Sequence, residues 1–346
     1  MRIIWKIRHG ASRRLYALAE RLPAAWTRKI SILLCVLRQD WRMVRFLSGF
    51  SAEMGVLRED EIERHFPGLD PESRARLKRF IGRSHFTPWF DWVTAQTPQH
   101  YHAWAGLCTE EEYQRGRRQE EEELPALRRK YHLPPAAGEV GSLVFHHGLK
   151  GIPPELKAYL RGKTFLDAGA FIGDSALVLL EYEPDRIYAF EPSRANQRLF
   201  RKLMEDNQVP AGRVILVDKG LAARPGMTTF SENTAGTALD GAGSCRVELV
   251  SLDEFVQNNR ISAVGFIKAD VEGMGLELLK GAVETIRRDK PILSLSIYHN
   301  REEFLGTYEL LHSLNLPYRY EVVSHCLPWQ NSELVLMAFP RLPAGT

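Results

Sequence analysis

The apolar positions in the second half of the chain fall into short runs separated by helical stretches. Phe165-Leu166, Ile187 to Phe190, Arg213 to Val217, Val264 to Ala269 and Pro291 to Ile297 are largely unbroken apolar runs. Runs of that kind suit strands buried on both faces. Ser175 to Tyr182, Ser193 to Asn207, Leu276 to Arg288 and Glu302 to Leu314 have helical composition without breakers. Tyr318 to Val323 and Leu334 to Phe339 read as a closing strand pair. Residues 221–250 are rich in Gly, Thr and Ser and read as an excursion with two small strands, Met227 to Phe230 and Arg246 to Val250. The pattern predicts an α/β fold, a doubly wound, mostly parallel seven-stranded sheet with an antiparallel C-terminal strand pair.

The first half is patterned differently and predicts an α-helical N-terminal region. Ile3, Ile4, Ile7, Leu15, Leu18 and Leu22 follow helical spacing, and a second helix is expected from about Trp26 to Leu47. Residues 56–84 read as helical with a turn at Pro67-Gly68, and Asp70-Pro71 marks a helix start with Asp as the cap. Thr109 opens a charged helix running to about Tyr131. Phe86, Trp89, Phe90, Trp92, Tyr101 and Trp104 form an aromatic patch suited either to a helical core or to a flat substrate. Pro134-Pro135 and Gly138 read as a linker, which puts a domain boundary near residue 140.

Composition narrows the classes. The 346 residues are 44% hydrophobic and 26% charged, as in an ordinary soluble globular protein. A net charge of +3 gives no argument for a nucleic-acid partner. Cys35, Cys108, Cys245 and Cys326 form no CxxC pair, which argues against a zinc ribbon or a disulfide framework and suits a reducing compartment. The run Ile30 to Leu37 falls well short of the ~18–20 residues that cross a bilayer, so a cytoplasmic location is expected. Residues 1–50 carry many Arg and Lys against only Glu20 and Asp40, with Trp5, Trp26 and Trp41 interleaved. Such a segment fits a peripheral contact with an anionic membrane or with a second copy of the chain, or packs its apolar face inward.

In a doubly wound sheet, ligands bind beyond the carboxyl ends of the strands. Those ends carry Asp167, Glu191, Asp218, Asp270 with Glu272, and His299. The stretch Lys163 to Pro192 is one strand–loop–helix–strand unit whose loop, Asp167 to Asp174, holds Gly169 and Gly173. A glycine loop opening a helix, with an acid at the next strand's tip, is the layout of an adenosine-cofactor site. The spacing here is GxxxG, not the GxGxxG that a pyrophosphate requires. S-adenosylmethionine therefore fits better than NAD. An NAD-type or nucleotide-sugar oxidoreductase, or a non-catalytic module, stands as the alternative. His146-His147 precedes this unit, and adjacent histidines do not by themselves make a metal pair, so no metal is assigned.

Leu166–Leu179 (LDAGAFIGDSALVL), Tyr188–Phe200 (YAFEPSRANQRLF), Ser251–Phe255 (SLDEF) and Ile267–Ala282 (IKADVEGMGLELLKGA) resemble the motifs of the FkbM family of class I S-adenosylmethionine-dependent methyltransferases. The resemblance covers about residues 143–340. It implies a methyltransferase domain over 141–346, with 1–140 as substrate cap, partner contact or membrane-surface contact. It also implies O-methylation of a hydroxyl on a sugar, glycan or polyketide- or peptide-type metabolite. Asp167, Gly169, Ala170, Phe171 and Gly173 would form the cofactor loop, and Asp174 and Ser175 would cap the first helix near the methionine end. Glu191, followed by Pro192, would hold the ribose, and Asp218 would lie near adenine. Asp270, Glu272 and His299 would stand at the transferring methyl, one of them taking the hydroxyl proton. Many members carry an acid where this chain has Gly275.

Overall fold

The computed structural model describes residues 59–84, 109–133, 140–230, 245–326 and 333–343. The basic segment 1–50, the aromatic patch between Phe86 and Trp104, and the Pro134-Pro135-to-Gly138 linker lie outside the described residues. The described strands are β1 (Thr164–Ala168), β2 (Ile187–Phe190), β3 (Val214–Val217), β4 (Gly220–Leu221), β5 (Gly226–Phe230), β6 (Cys245–Val250), β7 (Val264–Ala269), β8 (Ile292–Ser296), β9 (Tyr318–Ser324) and β10 (Leu334–Pro340). The helices are α1 (Glu59–His65), α2 (Pro71–Ser84), α3 (Glu110–Arg118), α4 (Leu124–Lys130), α5 (Val140–Leu143), α6 (Pro154–Leu160), α7 (Asp174–Leu179), α8 (Arg194–Asp206), α9 (Leu252–Asn258), α10 (Gly275–Lys280), α11 (Val283–Asp289) and α12 (Arg301–Ser313).

Seven strands form one sheet in the order β3-β2-β1-β7-β8-β10-β9. The first five pair in parallel, and β10 runs antiparallel to both β8 and β9. The excursion after β3 supplies a small second sheet, β4-β6-β5. Successive residues of the parallel strands enter opposite layers, as a period of two requires. Phe165, Ile187, Phe266 and Ile292 lie in one buried cluster, whereas Leu166, Tyr188, Ile267 and Leu293 lie in the other. Covering both faces is what makes these strands read as unbroken apolar runs.

The described helices before residue 140 are part of this packing. Ile62, Phe66, Leu69, Leu77, Phe80 and Ile81 share the buried cluster of Leu166, Ile267 and Phe304. Phe66 meets the rings of Phe304 and Tyr308, each at 5.3 Å between centroids. Asp70 caps α2 as its Asp-Pro start implies, accepting from the backbone N–H groups of Glu72 at 2.9 Å and Ser73 at 3.0 Å. The same turn seals the free edge of β9. Val322 N–H donates to Ser73 Oγ at 2.9 Å, and Arg76 donates to Val322 O at 2.9 Å, so the edge is not left open for another strand.

Two helices differ in detail from the sequence pattern. The charged helix opening at Thr109 has a full capping box with Glu112, but it passes through a π-turn at Gln119–Glu123 before α4. The stretch expected as one helix from Leu276 to Arg288 is broken into α10 and α11 at Gly281-Ala282. A Cβ on Gly281 would stand 2.3 Å from the Ala222 carbonyl oxygen, so the break is where the excursion packs against the helix.

Candidate active site

The strand order reverses between β1 and β7, so their carboxyl ends open the crevice in which such sheets bind ligands. From β1 the chain turns immediately. The N–H groups of Gly169 and Ala170 donate to Phe190 O at 3.1 and 3.0 Å, folding the loop back over β2. Gly169 (φ 78°), Phe171 (φ 46°) and Gly173 (φ 92°) all take the left-handed region. At Gly169 a side chain is excluded, since its Cβ would lie 1.8 Å from the Asp270 carbonyl oxygen. The loop therefore touches the tip of β7 backbone to backbone, and Gly173 opens α7.

Glu191 at the tip of β2 locks this loop. One carboxylate oxygen accepts Phe171 N–H at 3.0 Å, and the other accepts Ser193 N–H at 2.8 Å. Burial raises its pKa, while these N–H donors and Asn196 pull it back. Pro192 lies beside it, half-buried, and Phe171 presents an exposed ring at the loop's crest. Asp218, just beyond β3, is exposed at the far side of the crevice.

Asp167 does not face the crevice. It is fully buried beneath the loop, 3.3 Å from Lys268 Nζ on the neighbouring strand. Lys268 also donates to Gly169 O at 2.6 Å. Burial opposes charge on both partners. Lys268 nonetheless faces Asp167, Asp270 and Asp174, which raise its pKa and keep it an ammonium. For Asp167, burial acts upward and Lys268 downward. The pair thus holds the loop from below, and its part in a cofactor site is to shape the cradle. Asp174 and Ser175 are likewise tied from behind. Ser142 Oγ donates to Asp174 at 2.7 Å, and His147 Nε2 lies 2.9 Å from Ser175 Oγ. His146 faces away, 3.0 Å from Tyr182 Oη. Burial lowers the pKa of both histidines, so they are neutral props.

Asp270, Glu272 and His299 do converge. His299 Nε2 lies 3.3 Å from Asp270 and 3.8 Å from Glu272, while Nδ1 is 2.8 Å from Glu303. Burial disfavours charge on His299, but Asp270 and Glu303 outweigh it and raise its pKa to about 11. This departs from the expectation that His299 takes a proton near neutrality, because Asp270 and Glu303 keep it an imidazolium. Asp270 responds in the opposite sense. Burial acts against its charge, yet His299 and Lys268 hold its carboxyl well below the usual range. Glu272 differs again, with its pKa raised by partial burial and by the neighbouring Asp270 and Glu303 carboxylates. Its backbone is left-handed (φ 50°), a strained conformation for a residue with a side chain.

The departure at Gly275 has a physical reason. Its N–H donates to Glu303 at 3.0 Å, and a Cβ there would stand 2.8 Å from the same carboxylate. An acid at 275 would be set against the buried Glu303, which this chain uses to hold His299.

Residues 167–320 match the family profile described as the methyltransferase FkbM domain. This stretch is similar to an FkbM methyltransferase domain. A curated relative, the hexuronic acid methyltransferase AglP of Haloferax volcanii, is 30% identical over 125 residues, covering 35% of this chain and 50% of AglP. The chain therefore matches half the length of that relative. The crystal structure of Methyltransferase FkbM from Methylobacillus flagellatus KT shares the fold, with a TM-score of 0.51 at 18% identity, covering 81% of this chain and 58% of that one. Within this stretch, Lys268 and Glu303 escape a reading that attends to strand tips, and Tyr298, at a tip beside His299, is given no role by it. Lys268 had one visible signal: it is the single charge inside an apolar strand, and the register sets it opposite Asp167, the single charge of β1.

Proposed function

We propose that this chain is an S-adenosylmethionine-dependent methyltransferase acting on a hydroxyl of a sugar, glycan or comparable metabolite. The observation that carries the reading is the cradle at the β1–β7 switch point, where Gly169 packs against Asp270 and Glu191 pins the loop. Its donors and acceptors fit that cofactor. Acids and backbone carbonyls line the crevice, which suits a cation, and the loop lacks the third close approach that a pyrophosphate needs. Each Glu191 oxygen already accepts one backbone N–H and keeps capacity for a ribose hydroxyl. The name of AglP supports a sugar-type acceptor.

When bound, the cofactor supplies an electrophilic sulfonium methyl. The chain's own task is to align an acceptor hydroxyl and to receive its proton, and alignment alone lowers barriers by several kcal/mol (~7–11 at best). Among the three converging groups, Glu272 is the base. His299 already holds its proton, and Asp270 is too acidic to take one readily. His299, held at 3.3 Å by Asp270, lies 3.8 Å from Glu272 and would position it.

Calorimetry with S-adenosylhomocysteine tests this reading. The wild-type chain should bind it, and Glu191→Gln should weaken binding by about one to two decades, the loss of charge-assisted hydrogen bonds. Absence of binding, with thermal stabilisation by NAD instead, would sink it.

A further inference from the structure

Glu272 stands in a turn that its own residue type does not favour. Val271 to Met274 closes with Met274 N–H donating to Val271 O at 3.1 Å, and the two central residues, Glu272 (φ 50°) and Gly273 (φ 92°), are both left-handed. That is the φ pattern of a type I′ turn, whose first central place suits Gly, Asn or Asp. A glutamate there is strained, and such a conformation persists only where the surroundings impose it. The side chain does not impose it, since 44% of its surface is exposed and His299 Nε2 stands 3.8 Å off.

The imposing contacts come from the start of α12. Asn300 uses both halves of its amide. Its Oδ1 accepts Glu303 N–H at 2.8 Å and so caps the helix. Its Nδ2 donates to Gly273 O at 3.1 Å. The fit is close, because a Cβ on Gly273 would stand 2.5 Å from Nδ2. Glu303, 1% exposed, takes Gly275 N–H at 3.0 Å. The turn is held at two backbone points just beyond Glu272, both by the first turn of one helix.

We propose that Asn300 is a positioning residue for removal of the acceptor proton: its amide grips the Gly273 carbonyl and thereby keeps Glu272 in the left-handed turn that sets its carboxylate beside His299. The proposal rests on the reading of Glu272 as the base. Capping alone does not account for an asparagine here, since Ser193 and Ser251 cap α8 and α9 in the same chain. Asp has no donor, and the short hydroxyl of Ser puts donor and acceptor on one atom. An amide offers an acceptor to the helix and a separate donor to the turn. A change to Ser therefore keeps the cap and releases the turn, without adding charge near Glu272. Freed, Glu272 relaxes toward negative φ, which redirects its side chain.

The test compares the full chain with Asn300→Ser and Asn300→Ala. In hydrogen-exchange mass spectrometry, Asn300→Ser should exchange roughly two- to tenfold faster than the wild type over 271–275, as loss of one hydrogen bond predicts, with 301–306 unchanged. Asn300→Ala, which also loses the cap, should exchange faster over both segments. The second readout is the Glu272 carboxyl itself, followed by carbon-13 NMR of glutamate-labelled protein and assigned by its absence in Glu272→Gln. Its pKa is raised by burial and by Asp270 and Glu303, against the lowering effect of His299 and Lys268. In Asn300→Ser it should fall toward the ordinary 4.5 as the carboxyl moves into solvent, a change that loss of a helix cap does not produce. An unmoved Glu272 titration in Asn300→Ser overturns the proposal whatever the exchange shows, and so does exchange that rises equally over 301–306. S-adenosylhomocysteine affinity should be the same in the wild type and Asn300→Ser. If the wild type fails to bind S-adenosylhomocysteine while the Glu272 titration moves as expected, the grip of Asn300 on the turn stands and the methyltransferase reading falls.

Discussion

The carboxylates around His299 divide the labour of one small space, and their protonation can be read from outside. Glu272→Gln should lower kcat by about 10²–10⁴-fold, the range for loss of a general base. Because Glu272 must be ionised and its pKa is raised above 4.5, the acid limb of kcat should sit above that value and vanish in the variant. His299→Gln probes the clamp through stability. Its folded-state pKa of about 11 exceeds the ordinary 6.5, so its contribution is complete below pH 6.5 and is lost as pH rises through 11. Denaturant melts should therefore show the wild type's advantage over His299→Gln shrinking from pH 6.5 upward, and a constant difference would refute the imidazolium. The strand tips told which residues gather here, since position in the fold follows from the order of runs. Their charge states were not legible, because His299 owes its proton to Asp270 together with Glu303, a buried partner on the next helix that no strand tip announces.

At the scale of elements, the parallel strands were legible because burial on both faces leaves a long apolar imprint. The two-residue β4 leaves none, and the π-turn at Gln119–Glu123 has the composition of any charged helix. The contact between α2 and β9 was also invisible, although its cap was plain. Ser73 serves both elements, donating to Asp70 at 2.5 Å and accepting Val322 N–H at 2.9 Å. Ser73→Ala leaves a buried strand N–H without that acceptor and should cost about 1–3 kcal/mol. A urea midpoint equal to that of the wild type would show that the edge of β9 does not depend on α2.

At the scale of the molecule, the change in sequence character near residue 140 and the boundary of the buried core do not coincide. Ile62, Phe66, Leu69, Leu77, Phe80 and Ile81 are each at most 6% exposed, and they pack with Phe304, Tyr308 and Leu311 of α12. Fully burying a side chain of this kind contributes about 1.5–3 kcal/mol, so the six together approach or exceed the ~5–15 kcal/mol by which a domain is stable. Removing them also bares Phe304 and Tyr308 and leaves the edge of β9 open, a combination that favours association of chains. A fragment of residues 141–346 should accordingly melt far below the full chain or aggregate, while a fragment beginning at residue 59 keeps this packing and should melt cooperatively. Differential scanning calorimetry separates the two, and a 141–346 fragment that unfolds within a few degrees of the full chain would show that α1 and α2 are an accessory layer and not part of the core around the seven-stranded sheet.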